Sequence, residues 1–300
     1  LYLFNVKIRY DLKLVERLSM SNNKIVVVTG ANKGLGFAIV KGLCEKFDGT
    51  VYLTSRDEKR GLEATAHLMK LSLKPVYHQL DINDEESVRR FCSHIRRQGP
   101  VDILINNAGI LFLKDAPQPR LHQAEQTISV NFFSLVNFTE AMLPLMRNGG
   151  NILNISSSSG HLSRIPSEQI RTRISSMDLS LENLKDMMNS YVEAVRENTD
   201  LEKGWGESSY VVSKVGVNAY TFMLNRRLAE RDIKVNCVHP GYVISDMTRG
   251  SGAVTPARAA ELPLRLALEP RGGGLYVWHN GATVQWDGPD PRGFIDGMKL

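Results

Sequence analysis

The stretch Ile25-Val26-Val27-Val28-Thr29-Gly30-Ala31-Asn32-Lys33-Gly34-Leu35-Gly36 joins a β-branched apolar run to a glycine-rich loop, and residues 37–46 continue with helical spacing. A strand, a tight loop and a helix in that order put backbone amides at a helix N-terminus, where peptide dipoles favour an anion. The glycines let the chain turn sharply and come close to a pyrophosphate. Their spacing is Gly-x-x-x-Gly-x-Gly rather than Gly-x-Gly-x-x-Gly. The stretch predicts a nucleotide site on Gly30, Asn32, Lys33, Gly34, Leu35 and Gly36, with a plain turn as the alternative.

Outward from this loop the pattern repeats. Short β-rich runs at 25–29, 50–55, 75–80, 101–105, 151–156, 233–238 and 275–278 alternate with segments of helical apolar spacing. That rhythm marks βαβ units and predicts one α/β domain over 24–300, a doubly wound parallel sheet of the Rossmann type with helices on both faces. The exception is a polar insertion, 161–206. Within it, 178–196 reads as an amphipathic helix with Leu181, Leu184, Met187, Met188, Tyr191 and Val195 along one stripe and Asp178 and Ser180 as caps. Beyond Arg271, the Asn280-Gly281 turn predicts a last strand and hairpin, not a second domain. Residues 1–23 read as a disordered N-terminal extension without chemistry, with Met20 a plausible start.

Composition narrows the function. With 42% hydrophobic and 23% charged residues, the chain is far from the disordered class. The net charge of +5 is scattered, which argues against a nucleic-acid partner. No apolar run approaches the ~20 residues of a membrane span, so a soluble protein with no membrane partner is expected. Cys44, Cys92 and Cys237 are widely separated and lack Cys-x-x-Cys or Cys/His spacing. Neither a disulfide framework nor a metal site is indicated, and a reducing, cytoplasmic location is expected.

Three further features carry chemistry. At the end of the second run, where an acid would hold the ribose 2′-hydroxyl of NAD, the chain has Ser55-Arg56. Arg56 and Lys33 can pair with a 2′-phosphate, which predicts NADPH/NADP+; otherwise Arg56 is a solvated residue beside Asp57, itself a good helix cap. Asp81 and Asn106-Asn107-Ala108-Gly109 follow the third and fourth runs, at strand ends where such sheets bind ligands. Taken singly, Asp81 also reads as a cap and the asparagines as a loop bonded to its own backbone. Tyr210 and Lys214 share one face of a helix predicted over 208–231. An ammonium beside a phenol lowers the tyrosine pKa toward neutrality, as a proton donor requires, unless the two are a surface pair.

Together these residues, with Asn131, Asn154-Ile-Ser-Ser-Ser-Ser-Gly160 and Pro240-Gly241 in order, resemble the short-chain dehydrogenase/reductase family from Lys24 to about Gly281. Within it the chain is most similar to the monomeric NADPH carbonyl reductases, through Thr54-Ser55-Arg56-Asp57, His78-Gln79-Leu80-Asp81-Ile82, Asn131-Phe132-Phe133 and Gly204-Trp205. The resemblance implies that Tyr210 protonates the oxygen of an aldehyde, ketone or quinone as hydride reaches its carbon. Lys214 would hold the nicotinamide ribose, Ser157 the developing alkoxide, and Asn131 a water that relays protons. Asn107, Ala108 and Gly109 would line the cofactor cleft, and Asp81 with Ile82 would lie near the adenine. The loop with Pro240, Gly241, Val243 and Ser245 would cover the nicotinamide, and Tyr242 would join Ser157 and Tyr210 on the substrate side. Ser245 stands where many relatives have threonine, and the serine run 156–159 makes Ser157 a matter of counting. The insertion is expected to cover the surface relatives use for pairing, giving a monomer; the alternative is a mobile lid over the substrate. Alternatives to a carbonyl reductase are an idle NADP(H)-sensing protein on the same fold and a steroid- or plant-type reductase.

Overall fold

Runs of valine, isoleucine and leucine buried on both sides belong in the middle of a covered parallel sheet. The computed structural model describes residues 23–296, and the N-terminal extension lies outside them except for Asn23. Its strands are β1 (Ile25–Val28), β2 (Thr50–Ser55), β3 (Val76–Gln79), β4 (Val101–Asn106), β5 (Met146–Ile155), β6 (Lys234–His239) and β7 (Tyr276–Trp278). They form one parallel sheet in the order β3-β2-β1-β4-β5-β6-β7. Successive side chains point to opposite faces, so Ile25 and Val27 enter one apolar core while Val26 and Val28 enter the other. From β1 the sheet winds outward to β3, and from β4 it winds the other way. The switch between β1 and β4 opens a crevice at the carboxyl ends of the strands.

The helices are α1 (Gly34–Lys46), α2 (Glu58–Lys70), α3 (Glu85–Gln98), α4 (Arg120–Ile128), α5 (Leu135–Met142), α6 (Glu168–Ser175), α7 (Leu181–Arg196), α8 (Ser209–Arg227), α9 (Pro256–Leu268) and α10 (Pro291–Phe294). A π-helical segment, Ser129–Ser134, joins α4 to α5. The continuous helix from Arg120 to Leu145 is long and apolar enough to cross a membrane by length and composition alone. In this fold its Ile128, Phe132, Leu135, Phe138 and Met142 are buried in the core.

The insertion is built into the molecule. Ser180 caps α7, accepting from the Asn183 amide at 3.1 Å, whereas Asp178 lies outside the cap because the helix starts only at Leu181. Buried Leu184, Met187, Met188, Tyr191 and Val195 turn α7 onto α4 and α8, with Leu181 only partly covered. Tyr191 meets the indole of Trp205 edge-on at 5.7 Å. With the sheet on one side and α7 on the other, α8 is buried nearly all round from Val211 to Thr221. It ends at Arg227, earlier than predicted, and a 3-10 turn, Ala229–Arg231, completes the segment. β5 begins at Met146 rather than at 151, because a register shift opposite Val101 and Ile103 lets the strand start earlier. The C-terminal hairpin is present, with Trp278 donating to the Ala282 carbonyl at 2.9 Å.

Candidate active site

The glycine loop is shaped by the end of β4. The Thr29 hydroxyl accepts from the Asn107 and Ala108 amides, each at 3.0 Å. The Asn107 carboxamide donates back to the Thr29 and Gly30 carbonyls at 2.9 and 3.0 Å. Gly30 has φ +62°, and a Cβ there would lie 2.9 Å from Ala108 Cα; one on Gly36 would lie 2.4 Å from Asn107 Nδ2. These two glycines are therefore required first by the packing of loop on loop. Asn107 lines the crevice through its backbone, since its side chain is spent holding the loop. At the start of α1, Lys33 is extended, no side chain caps the helix and no acid occupies its first turn. Amides left uncapped beside this cradle fit a pyrophosphate.

At the rim, Asp57 is the helix cap that the Ser55-Arg56-Asp57 stretch offers. Asp57 caps α2, accepting from the Arg60 amide at 2.9 Å. The exposed Arg56 has no ion pair among the described residues. Lys33 departs from expectation, because its Nζ donates to Asp246 Oδ2 at 2.6 Å. Bonded to Lys33 and within the field of Arg60, the Asp246 carboxyl is held below the usual carboxylate range. Asp246 and Arg60 were missed in the sequence, since Asp246 sits far away in the chain and neither belongs to a local motif. Asp81 closes a turn on itself, accepting from Asn83 N at 2.9 Å and Asn83 Nδ2 at 3.2 Å, and the α3 cap is Asp84. Ile82 packs at the edge of the core.

Deeper in the crevice, Tyr210 lies in the first turn of α8 and Lys214 one turn on, its Nζ 5.7 Å from the phenol ring centre. Lys214 is buried and donates to the Ile155 carbonyl at 2.8 Å. Of the serine run, Ser156 is used structurally, donating to Asn218 at 2.6 Å. Ser157 has its hydroxyl on the Tyr210 phenol and accepts from the Ser159 amide at 3.1 Å. Tyr276, unremarked in the sequence, donates to the Ser157 carbonyl at 2.6 Å and so fixes that residue's backbone. Asn131 sits in the π segment, its carboxamide exchanging bonds with the Ile110 amide at 2.8 Å and the Ile110 carbonyl at 2.9 Å. A Cβ on Gly109 would lie 3.2 Å from Asn131 Oδ1 and 4.0 Å from Lys214 Nζ, so a glycine keeps this corner open.

The electrostatics run against one expectation. Burial pushes the Tyr210 phenol up to about 12, with the Ser157 bond opposing, and pushes the Lys214 ammonium down to about 8. The predicted lowering of the tyrosine is absent because both groups pay for leaving water and Lys214 turns its proton to Ile155.

The loop after β6 closes the other side. Pro240 is buried, Val243 bridges to Val254, and Ser245 lies 3.8 Å from where a Gly34 Cβ would be. Ser245 opens a turn in which its amide donates to the Thr248 hydroxyl at 3.1 Å. Arg249 pairs with Asp115 at 2.5 Å, so this loop is tied to the glycine loop through Lys33 and to the 110–119 loop through Arg249. Tyr242 is 52% exposed, its hydroxyl 2.7 Å from Ser251, and Ile244 and Met247 on the same loop are also exposed.

The family model described as short chain dehydrogenase matches residues 24–167 and 195–254. Carbonyl reductase (NADPH) 3 of Rattus norvegicus is 41% identical over 83% of this chain and 92% of its own. Carbonyl reductase (NADPH) 1 of Sus scrofa is 39% identical over 83% of this chain and 89% of its own. Among solved structures, salutaridine reductase from Papaver somniferum superimposes with a TM-score of 0.78 at 29% identity, covering 85% of this chain and 99% of its own.

Proposed function

Because this chain belongs to the short chain dehydrogenase family, we propose that it is an NADPH-dependent carbonyl reductase acting on small aldehydes, ketones or quinones. The observation that carries this reading is the meeting of Ser157, Tyr210 and Lys214 beside Asn131 in a crevice that begins at the glycine cradle. The cradle, the uncapped start of α1 and the guanidinium of Arg56 fit the pyrophosphate and 2′-phosphate of NADP(H). When bound, the reduced cofactor supplies the hydride.

The protein's residues do the rest. Tyr210, protonated at every working pH, gives its proton to the carbonyl oxygen as negative charge grows there. The Ser157 hydroxyl, its backbone held by Tyr276, supports the same oxygen. Protonated Lys214 places a positive charge next to the phenol, which stabilises the phenolate left behind, and Asn131 orders the path by which a water restores the proton. Tyr242, with Ile244 and Met247, gives the loop an apolar surface for the substrate. Salutaridine reductase and the menthone neomenthol reductase of Mentha piperita, 30% identical with a TM-score of 0.73, support a plant-type substrate as a second reading. Following NADPH and NADH oxidation against a panel of aldehydes, quinones, steroids and cyclic ketones tests both. Turnover with NADPH is expected, its substrate preference choosing between them, and no turnover with any carbonyl overturns both.

The seat of α7 on α4 and α8 supports a monomer, since it covers the surface that the resemblance assigns to subunit pairing. Light scattering should give a mass near 33.6 kDa; a stable dimer or tetramer defeats that reading. The cysteine pattern supports a reducing, cytoplasmic location, which fractionation of a tagged chain tests.

A further inference from the structure

Outside the crevice, the carboxyl ends of β6 and β7 bring together three residues far apart in sequence. His239 ends β6, His279 follows β7, and Asp296 lies just beyond α10. One donor atom from each lies within 4.8 Å of the other two, and His279 Nε2 is 2.9 Å from Asp296 Oδ1. His239 is only 8% exposed, its ring set edge-on to Trp278 and to His279. No hydrogen bond reaches that ring among the described residues, and its Nδ1 is fully enclosed without a partner. Buried polar groups in folded proteins nearly always have one, because an unmet donor or acceptor forfeits its hydration without return. An imidazole left in this state, next to a second imidazole already fixed by a carboxylate, is the arrangement of a ligand set.

We propose that His239, His279 and Asp296 form a binding site for a divalent first-row transition metal of the zinc class. Two imidazoles and one carboxylate, with no thiolate, suit zinc, nickel, cobalt or copper over calcium or magnesium, and the remaining coordination positions take water. Ligand atoms about 2.1 Å from one ion lie roughly 3.4 Å apart in a tetrahedral site, so the set closes by at most roughly 1.5 Å on binding. The side chains of His279 and Asp296 are partly exposed, at 37% and 22%, and supply that movement by rotating out of their mutual bond. None of its three residues belongs to the cluster of Ser157, Tyr210 and Lys214. The site ties the chain beyond α10 to the ends of β6 and β7, one residue before Pro240 and against Gly241, whose Cβ position is 3.5 Å from His279 Cβ. Metal binding thus steadies the root of the loop that flanks the crevice. No short motif announces the site because its ligands come from three separate elements.

Calorimetric titration of chelator-treated protein with Zn²⁺ alone, and Co²⁺ titration read by visible absorption, test the proposal. One saturable ion per chain is expected, with a rise in Tm. The exposed positions permit His279→Ala and Asp296→Asn without disturbing the core, and each should weaken binding at least ~10-fold while circular dichroism stays unchanged. His67→Ala, which removes an exposed imidazole on α2, should leave binding as it was. The proposal is overturned by no saturable binding up to ~100 μM metal, by a loss below tenfold in either ligand variant, or by an equal loss in His67→Ala.

Discussion

Lys214 and Lys33 stand at opposite ends of one crevice and are held in opposite ways. Lys214 is 6% exposed, and burial lowers its pKa to about 8. The Lys33 side chain is 56% exposed and its charge is shared with Asp246, itself at the surface. Solvent and salt screen the outer pair, whereas the inner ammonium, 5.7 Å from the centre of the Tyr210 ring, is shielded from both. On the proposed function the inner lysine governs chemistry and the outer one adjusts affinity, although each is one positive charge on the same stem.

The sharpest way to break this division is at the inner end. Tyr210→Phe should lower turnover by ~100-fold or more while NADPH affinity, measured by fluorescence titration, stays within the wild-type range. Near-normal turnover would remove Tyr210 from its role. At the rim the effect moves from rate to binding. Arg56→Ala removes a charge-assisted contact of about 1.5 to 3 kcal/mol, raising the NADPH Kd by ~10 to 150-fold and leaving NADH nearly unchanged. Equal weakening of both cofactors would show that Arg56 does not read the 2′-phosphate.

The pH profile probes Lys214 without mutation. Its folded pKa lies below the ordinary lysine value, so it is charged below about pH 8 and neutral above, while Tyr210 at about 12 stays protonated throughout. kcat/KM should therefore be level below pH 8 and fall roughly tenfold for each further unit. A profile flat to pH 10 would mean that the ammonium is not needed. The smallest effect belongs to Asp246→Ala, which frees Lys33 for the cofactor. Surface pairs are worth at most ~1 kcal/mol, so NADPH should bind up to ~5-fold more tightly, with NADH unaffected. Weaker NADPH binding would instead assign the pair a role in holding the loop.

What the sequence disclosed and what it hid divide along the same line. The strands were legible because continuous apolar runs have few other places to go, and the glycine loop because Gly30 and Gly36 admit no side chain. Tyr210 and Lys214 were legible because a helix places them on one face. The Lys33–Asp246 pair was not, since 213 positions separate its members and only the closed loop joins them. Nor was the direction of the Tyr210 shift. Spacing showed the ammonium nearby, but the cost of burying the phenol depends on everything packed around it. Asp178 and Ser180 are equal candidates by type, and the bond from the Asn183 amide to the Ser180 hydroxyl decides for Ser180.

The π segment Ser129–Ser134 carries a consequence for how such a chain can change length. A π turn holds one residue more than an α turn spans, and each α-helical residue occupies about 100° of rotation. Deleting a single residue there would restore an unbroken α-helix and leave everything after it on nearly the same face, because the wider turn already absorbs the extra residue. Leu135, Val136, Phe138 and Met142, all buried, would keep their seats in the core, whereas Asn131, carried by the widened turn, would lose its two bonds to Ile110. The extra residue is thus spent on carrying Asn131 to Ile110 and not on seating the helix, so a deletion here should cost the site before it costs the fold.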